Sequence, residues 1–363
     1  MGPVPTRLLA AGWVAAVVLA ILATAAVAAQ GVQGPGVVAA APPLDRATSA
    51  HPLPTSAATA VPQPKAVAAK PKARIKLAAP PTSTATAPPA PAIAPRPQIP
   101  DGKGMWIWKP ELVEKGDVIA LVARAQAVGL THVFVRTGST WDGLQNLQYL
   151  AQLLPYAHAA GMKVYGWDFP KLANPAEDVF RAKLAVNYVT PSGDRLDGFA
   201  ADIETLSEGT QFTAAAAQAY GDGLRAAVGP STLLVAVVPN PTPQMRRQYS
   251  YDAVLPAFNA VAPMVYWLNR DPGQDTADAL HFLSRYGLPL MPIGQAYDGG
   301  PEGGRPGVPP PPEIWRFIEV AKQYGAVAVS FWSWQHANGP VWNAIKSAQD
   351  FSVALKPMPK ASS

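Results

Sequence analysis

Two carboxylates spaced two residues apart are the part of this sequence best suited to chemistry. Residues 197–204 read Asp-Gly-Phe-Ala-Ala-Asp-Ile-Glu. If they form a β-strand, Ala200, Asp202 and Glu204 share one face, because successive side chains of a strand point to opposite faces. In a β/α barrel that face lines the interior, which opens into an active site at the C-terminal ends of the strands. The stretch therefore predicts a strand that carries two acids to a barrel mouth.

General acid catalysis is the chemistry that such a pair can perform. The Cβ atoms of Asp202 and Glu204 would lie roughly 6–7 Å apart on the same side of a ligand. Ordinary glycosidases instead place two carboxyls about 5–9.5 Å apart on opposite sides of the scissile bond. We predict that Glu204 protonates the leaving oxygen and that the charge of Asp202 keeps the pKa of Glu204 raised. Another group must then be the nucleophile. The alternative is a structural pair satisfied by Arg136, Tyr266 or the backbone.

Strand and helix patterns alternate from residue 101 onwards, and they define the elements that must position these acids. The predicted strands cover residues 104–109, 131–137, 163–169, 197–204, 232–239, 260–267, 288–296 and 326–334. Helices are predicted over 117–128, 144–160, 176–189, 212–228, 276–286, 313–324 and 341–355, and only the proline-rich segment after the fifth strand lacks a long one. Eight β/α units in about 260 residues predict a (β/α)8 TIM barrel, in the α/β class. A doubly wound open sheet would instead need a glycine-rich phosphate turn after the first strand, where Trp-Ile-Trp-Lys-Pro stands.

Aromatic and polar residues gather at the ends of the predicted strands, where barrel enzymes carry their chemistry. Six of the ten tryptophans lie there, and the flat apolar face of tryptophan suits a sugar ring. We predict a carbohydrate cleft; the alternative is that large side chains merely cap the barrel. The predicted substrate-binding residues are Trp106, Trp108, Arg136, Trp167, Asp168, Trp267, Asn269, Gln295, Tyr297, Trp332 and Trp334.

Three motifs resemble the chitinase-like family-18 glycoside hydrolases. Residues 197–204 match the strand-four signature of that family, Asp-Gly-x-Asp-x-Asp-x-Glu, at every fixed position except Ala200, where the family has an Asp. The segment Met264-Val265-Tyr266 resembles the family's Met-x-Tyr at the end of strand six, and it adds Met264 to the substrate-binding residues. The pair Trp332-Ser333 resembles the Trp-Ser-type pair of strand eight. A related but divergent glycoside hydrolase barrel fits the same motifs.

This resemblance implies a retaining, substrate-assisted mechanism in which the N-acetyl carbonyl of the substrate is the nucleophile. Glu204 would be the general acid and then the base for water, while Asp202 and Tyr266 would orient the N-acetyl group. Trp332 would form the floor under the sugar at the cleavage site. The implied substrate is a glycan that contains N-acetylhexosamine, such as chitin or peptidoglycan. No cofactor is implied, and the spacing of the five histidines predicts no metal site.

Two other functions remain open. A non-catalytic carbohydrate-binding barrel is favoured by Ala200, whereas the intact Glu204 argues against it. A glycosidase that cleaves a non-acetylated polysaccharide would need a separate carboxylate nucleophile, for which Asp168 and Asp298 are the candidates.

The N-terminal hundred residues differ in composition from the rest of the chain. They hold 18 of the 41 prolines and one aromatic residue, so a disordered Pro/Ala/Thr-rich linker is predicted over residues 31–100. The uncharged run over residues 8–29 predicts a signal peptide or membrane anchor in residues 1–30. The barrel is assigned to residues 101–357 and a tail to 358–363. We expect the barrel to lie outside the cytoplasm, secreted or membrane-anchored.

The net charge of +5 is divided unevenly along the chain. Residues 1–100 carry eight Lys and Arg and one Asp, a net +7, whereas residues 101–363 carry 21 basic and 23 acidic residues, a net −2. The barrel is therefore not expected to bind nucleic acid. The chain has no cysteine, which excludes disulfides and thiolate chemistry. The expected partner is a glycan, and the protein is expected to be a monomer.

Overall fold

The computed structural model describes residues 97–348 and Phe351. The predictions of a signal peptide or anchor in residues 1–30 and of a tail over 358–363 lie outside the described residues, as does nearly all of the predicted linker. In the part of the chain that is described, no helix is long and apolar enough to cross a lipid bilayer.

Eight parallel strands form a closed barrel. They are β1 (Gly102–Ile107), β2 (His132–Ser139), β3 (Lys163–Phe169), β4 (Gly198–Asp202), β5 (Leu234–Pro239), β6 (Ala260–Val265), β7 (Ile293–Gln295) and β8 (Ala328–Trp332). Each strand pairs with its neighbours in chain order, and β8 pairs with β1 to close the barrel. A two-residue strand, Gly143–Leu144, is added antiparallel to the end of β2. The predicted TIM barrel is confirmed, and the open-sheet alternative is wrong.

A helix lies between each strand and the next. The helices are α1 (Val118–Val128), α2 (Leu147–Ala159), α3 (Pro175–Val186), α4 (Ala214–Val228), α5 (Tyr251–Val254), α6 (Pro272–Leu283), α7 (Pro311–Gln323) and α8 (Gly339–Ser347). Of these, α5 has only four residues. Four prolines lie between residues 239 and 256, and proline removes a backbone donor and disfavours helix in the residue before it. The predicted lack of a long helix after the fifth strand is confirmed.

Several strands end earlier than the sequence predicted. The strand predicted over residues 197–204 ends at Asp202, so Glu204 lies in the loop that follows it. The strand predicted over 288–296 shrinks to Ile293–Gln295, because Pro289 and Pro292 cannot donate backbone hydrogen bonds to a neighbouring strand. The active-site loops therefore begin inside the predicted strands.

The side chains of β4 alternate between the two apolar layers of the barrel. Ala200 packs into the barrel interior, whereas Phe199, Ala201 and Ile203 pack between the sheet and the surrounding helices. Asp202 has the same strand parity as Ala200 and therefore points to the interior side. The predicted sidedness of this stretch is confirmed.

Four aromatic side chains from the first three strands fill much of the barrel interior. They are Trp106, Phe134, Tyr165 and Trp167, and all are buried. Trp106 stacks on Phe134 with ring centroids 4.2 Å apart, and Trp167 meets Trp106 edge-on at 5.8 Å. Ala200 pairs in register with Trp167 and is fully buried. Because barrel interiors are close-packed, a longer side chain at residue 200 would have to displace these rings.

A buried ion pair joins the end of β3 to α3. The guanidinium of Arg181 binds both carboxylate oxygens of Asp168, at 2.7 Å each, and reaches Asp178 at 2.8 Å. Asp178 also accepts hydrogen bonds from the Thr140 hydroxyl at 2.6 Å and from the backbone N–H of Leu172 at 2.9 Å. The loop that follows β3 is therefore held in place by a satisfied polar network.

We predict that Arg181→Ala destabilises the protein by about 3–5 kcal/mol, because it leaves two buried carboxylates without their cation. Urea unfolding at neutral pH measures this change. The control is Arg195→Ala, which removes an exposed arginine and should change stability by less than about 0.5 kcal/mol. Equal effects of the two substitutions would show that the buried pair contributes no special stability.

Candidate active site

Asp202, Glu204 and Tyr266 come together at the C-terminal mouth of the barrel. Asp202 ends β4, Glu204 follows two residues later, and Tyr266 comes directly after β6. All three side chains are partly exposed. Burial, the neighbouring Tyr297 and the charges of Asp202 and Glu204 together raise the pKa of Tyr266 well above its usual value. The three residues that the sequence predicted to be catalytic therefore lie within electrostatic range of one another.

The two acids at the end of β4 both favour the protonated state. The pKa of Glu204 is raised well above its usual value, first by burial and then by the charges of Asp202 and Glu208. The pKa of Asp202 is raised by burial and by Glu208, while Arg136 opposes the shift. Asp202 acts on Glu204 in the predicted direction, although burial is the larger cause. A carboxyl that keeps its proton towards neutral pH can act as a general acid.

Two further carboxylates lie at the mouth that the sequence analysis did not identify. Glu208 lies in the 3-10 turn Leu206–Glu208 that follows Glu204, and burial followed by the charge of Glu302 raises the pKa of Glu208. Glu302 lies in the loop after β7, where it accepts a hydrogen bond of 2.7 Å from the Tyr297 hydroxyl. Within residues 97–348, no three His, Asp or Glu side chains are grouped so that they could hold a metal ion.

Lys171 places a buried cation beside these acids. Its ammonium donates a hydrogen bond to the backbone carbonyl of Glu208 and lies 3.3 Å from the ring centroid of Trp141. Burial lowers the pKa of Lys171 to about 8, while the charges of Glu208, Glu204 and Asp202 oppose that shift. Trp141 is 62% exposed, so most of its ring faces solvent at the rim of the mouth. Neither residue ends a predicted strand, so sequence reasoning overlooked both.

Two leucines at the mouth adopt the left-handed backbone conformation, which costs roughly 1–2 kcal/mol for a residue other than glycine. They are Leu172, with φ of 59°, and Leu268, with φ of 56°. Each has its backbone N–H bound by a buried side chain: Asp178 accepts from Leu172 at 2.9 Å, and Gln295 accepts from Leu268 at 2.8 Å. Buried polar side chains thus hold the loops after β3 and β6 in conformations that these loops would otherwise avoid.

The predicted tryptophans occupy different depths of the barrel. Trp332 is partly exposed and rests edge-on against Trp167, with ring centroids 5.4 Å apart. Trp106 and Trp167 are almost fully buried beneath it. Trp108 lines a cavity of about 420 Å³ together with Arg136, Gln145 and Asn146. Trp332 and Trp108 are therefore placed to contact a ligand, whereas Trp106 and Trp167 can only pack beneath Trp332 and hold it in place.

Three of the predicted substrate-binding residues do not face the mouth. Asp168 is fully buried in its ion pair with Arg181. Trp267 and Trp334 pack in the layer between sheet and helices, where their indole N–H groups donate to Glu313 at 2.8 Å and Glu114 at 3.2 Å. The placement of all three at the mouth is wrong. Asp168 lies within β3 and alternates with the interior residue Trp167, so its side chain points towards the helices. The two tryptophans follow the ends of β6 and β8, where the side chains turn outwards.

The remaining predicted residues shape the rim. Met264 lines the interior and is nearly buried, and Tyr297 is buried with its ring 5.4 Å from that of Tyr266. Gln295 is buried and holds Leu268, whereas Asn269 is exposed in the loop after β6. The carboxylate of Asp298, one candidate nucleophile, accepts hydrogen bonds from the backbone of Gly300 and Gly307 at 2.8 and 2.7 Å. Asp168 is therefore held in its buried ion pair, whereas two backbone N–H groups bind one oxygen of the exposed Asp298.

Solved structures with a similar fold are glycoside hydrolases. An endo-β-1,4-mannanase from Thermotoga petrophila is 9% identical, with a TM-score of 0.53 over 71% of this chain and 78% of its own. A thermostable chitinase domain from Pyrococcus furiosus is 13% identical, with a TM-score of 0.49 over 70% and 95% of the two chains. A class V chitinase from Pseudomonas fluorescens Pf-5 is 15% identical, with a TM-score of 0.47 over 69% and 100%.

The likeness to the mannanase agrees with the (β/α)8 barrel of this chain. At these identities the likeness concerns the fold alone. No protein-family model matches the sequence, and no curated protein matches it either.

We predict that Glu204→Gln raises the melting temperature at pH 8 relative to the wild type. The raised pKa of Glu204 in the folded state contributes stability that is complete below the pKa of an unfolded glutamate, near 4.3, and is lost as pH rises through the folded-state pKa. Glutamine cannot ionise, so the variant avoids this loss, and the two melting temperatures should converge towards pH 5. For a domain of this size, each kcal/mol corresponds to about 2–4 °C.

Thermal melts from pH 5 to pH 8 measure the difference. The matched control is Glu111→Gln, which neutralises an exposed glutamate and should leave the pH dependence unchanged. A gap between Glu204→Gln and the wild type that stayed constant with pH would contradict a raised pKa at Glu204.

Proposed function

We propose that the protein is a glycoside hydrolase in which Glu204 is the general acid. The observation that carries this proposal is the environment of Glu204, a partly exposed carboxyl at the mouth of the barrel whose pKa is raised by burial and by Asp202. Such a carboxyl keeps its proton near neutral pH and can give it to the oxygen of a leaving sugar. The carboxylate that results can then take a proton from an attacking water.

We further propose that the substrate contains N-acetylhexosamine and supplies its own nucleophile, so that the reaction retains configuration. Asp202 supports this, because its buried Oδ1 has no hydrogen-bond partner in the described structure. A buried acceptor without a partner is costly, and the N–H of an N-acetyl group would satisfy it. The hydroxyl of Tyr266, partly exposed beside both acids, can donate to the carbonyl oxygen of the same group and favour its attack on the anomeric carbon.

Aromatic side chains at three points of the mouth suit the faces of a glycan. Trp332 lies at the top of the interior stack, Trp108 lines the 420 Å³ cavity, and Trp141 exposes most of its ring at the rim. Sugar rings pack their C–H faces on such platforms, and the polar groups between them fix the orientation. The spread of these rings supports binding of several sugar units rather than one.

The place of action is also part of the proposal. The uncharged run over residues 8–29 and the proline-rich tract over 31–100 are typical of an exported protein whose catalytic domain is held away from its anchor or cleavage site. We therefore propose that the barrel acts outside the cytoplasm, on chitin-like or peptidoglycan-like material, as a monomer.

A second mechanism is favoured by the carboxylates that surround Glu204. Glu208 and Glu302 are both partly exposed, and both act electrostatically on Tyr297 together with Glu204. Either could serve as a separate nucleophile on a polysaccharide without N-acetyl groups. Asp168 is held in its buried ion pair with Arg181, so Glu208, Glu302 and the exposed Asp298 are the candidates for this role.

We predict that Glu204→Gln lowers product release by at least about 10²-fold, because the amide keeps the shape of the side chain and cannot donate an acidic proton. The full-length protein is incubated with chito-oligosaccharides, peptidoglycan and a non-acetylated glucan, and reducing ends are counted. The control Glu319→Gln neutralises an exposed glutamate on α7 and should retain wild-type activity. Cleavage of only the acetylated substrates supports substrate assistance, and cleavage of the glucan supports a separate nucleophile. Binding without turnover by the wild type would contradict the enzyme proposal and leave a carbohydrate-binding barrel.

Glu208→Gln should move the alkaline limb of the pH–activity profile to lower pH. The charge of Glu208 helps to raise the pKa of Glu204, so its removal lets Glu204 lose its proton earlier as pH rises. In the substrate-assisted mechanism, activity at pH 5 should stay within about tenfold of the wild type. A loss of 10²-fold or more at every pH would instead identify Glu208 as a nucleophile.

A further inference from the structure

A second cavity, separate from the barrel mouth, lies where the outer layer has no long helix. It has a volume of about 450 Å³ and lies between the β5–β6 connection and the C-terminal end of α6. In the neighbouring β/α units a long helix covers the sheet, whereas here the four-residue α5 leaves space beside α6. The residues that matter for its chemistry are Arg246, Arg247, Asp252, Arg285 and Tyr286.

Two of the arginines in this cavity share one aromatic ring. The guanidinium carbons of Arg246 and Arg285 lie 4.3 and 4.1 Å from the centroid of Phe282. Attraction between a cation and the ring face holds each of them there. Their Nε atoms donate to backbone carbonyls, that of Arg246 to Pro241 at 2.5 Å and that of Arg285 to Phe282 at 2.8 Å. Two guanidinium groups are thus held against one aromatic ring, and neither forms an ion pair with a carboxylate of the described residues.

The three arginines of the cavity lack acidic partners. Six other arginines of the described chain form ion pairs with carboxylates, namely Arg124, Arg136, Arg181, Arg270, Arg305 and Arg316. Among residues 97–348, Arg246, Arg247 and Arg285 form none. The one acid in the lining, Asp252, accepts a hydrogen bond of 2.8 Å from the Tyr286 hydroxyl. The cavity therefore carries a net positive charge and unused guanidinium donors.

We propose that this cavity binds a carboxylate-bearing sugar unit of an acidic polysaccharide. Guanidinium groups match carboxylates in geometry and bind them through paired hydrogen bonds. A volume of about 450 Å³ is far larger than one small ion needs and admits a sugar unit, and the half-buried ring of Tyr286 offers a surface for it. A recess of this shape does not suit the flat surface of a bilayer.

This site is independent of the chemistry at Glu204. The barrel mouth gathers the carboxyl groups of Asp202, Glu204, Glu208 and Glu302, whereas the cavity offers guanidinium donors, which match a carboxylate. An acidic sugar unit is therefore expected at the arginine cavity rather than at the mouth. The cavity would hold the protein on an acidic polysaccharide while the mouth acts on its own glycan.

Binding of polygalacturonate to the full-length chain tests the proposal. The triple substitution R246Q/R247Q/R285Q should weaken binding about tenfold or more, given the usual energies of exposed ion pairs. The matched control K183Q/R195Q/R316Q removes three exposed cations elsewhere on the barrel and should bind like the wild type. The basic N-terminal tract is the same in every variant, so a difference between the triple substitution and its control reports on the barrel.

Two further measurements locate the contact. Phenylglyoxal modifies exposed arginines, and polygalacturonate should protect Arg246, Arg247 and Arg285 while Arg195 stays reactive, as mapped by mass spectrometry. The single substitution Arg247→Glu should also weaken binding; it alters an exposed side chain that donates no hydrogen bond within the described residues, so the fold is not at risk.

Three results would overturn the proposal. One is equal weakening of polygalacturonate binding by the triple substitution and by its control. A second is unprotected arginines at the cavity, and a third is binding of polyphosphate without binding of polygalacturonate. Glycan cleavage at the mouth is assayed separately, so loss of one function leaves the result for the other unaffected.

Discussion

Burial of like charges against one another is the constraint on which the mouth of this barrel depends. Burial and the charge of Glu208 raise the pKa of Asp202, and burial with the charges of Asp202 and Glu208 raises that of Glu204, while the buried cation Lys171 opposes both shifts. Four ionised carboxylates could not share this space at low cost, because burial removes their solvation and strengthens the repulsion between them. The rigid strands and the hydrogen-bonded loops hold the acids together despite this cost. The acids therefore stay protonated at a higher pH than free carboxyl groups.

The aromatic interior explains why one position of β4 differs from the family-18 signature. Trp167 pairs in register with Ala200, and Trp106 and Phe134 stack close by. An aspartate at residue 200 would enter a close-packed apolar region beneath two acids that are already destabilised by their burial. The small side chain at residue 200 is therefore compatible with the large rings, and the buried Oδ1 of Asp202 has no hydrogen-bond partner among the described residues.

Alternating strand and helix patterns were enough to predict the barrel, its eight units, the missing long helix after β5 and the inward face of Ala200 and Asp202. The same patterns misplaced Trp267 and Trp334 at the mouth. Each lies in an apolar run that continues past the last paired residue of its strand, and beyond that residue the side chains point towards the helices. Glu208, Glu302, Lys171 and Trp141 lie in loops, where no periodicity links position to orientation. Their placement depends on contacts with distant loops and on hydrogen bonds to the loop backbone, such as the one from the N–H of Leu172. The local sequence does not encode these contacts.

Lys171 links the exposed rim of the mouth to the acidic residues inside it. Its ammonium touches the exposed ring of Trp141, holds the backbone of Glu208 and lies within the field of Glu204. A change of specificity made by exchanging the rim after β2 or β3 would therefore alter the acid strength of the centre as well. In the proposed glycosidase, the loop that selects a sugar would therefore also set the pH at which the sugar is attacked, so specificity and acid strength could not evolve separately.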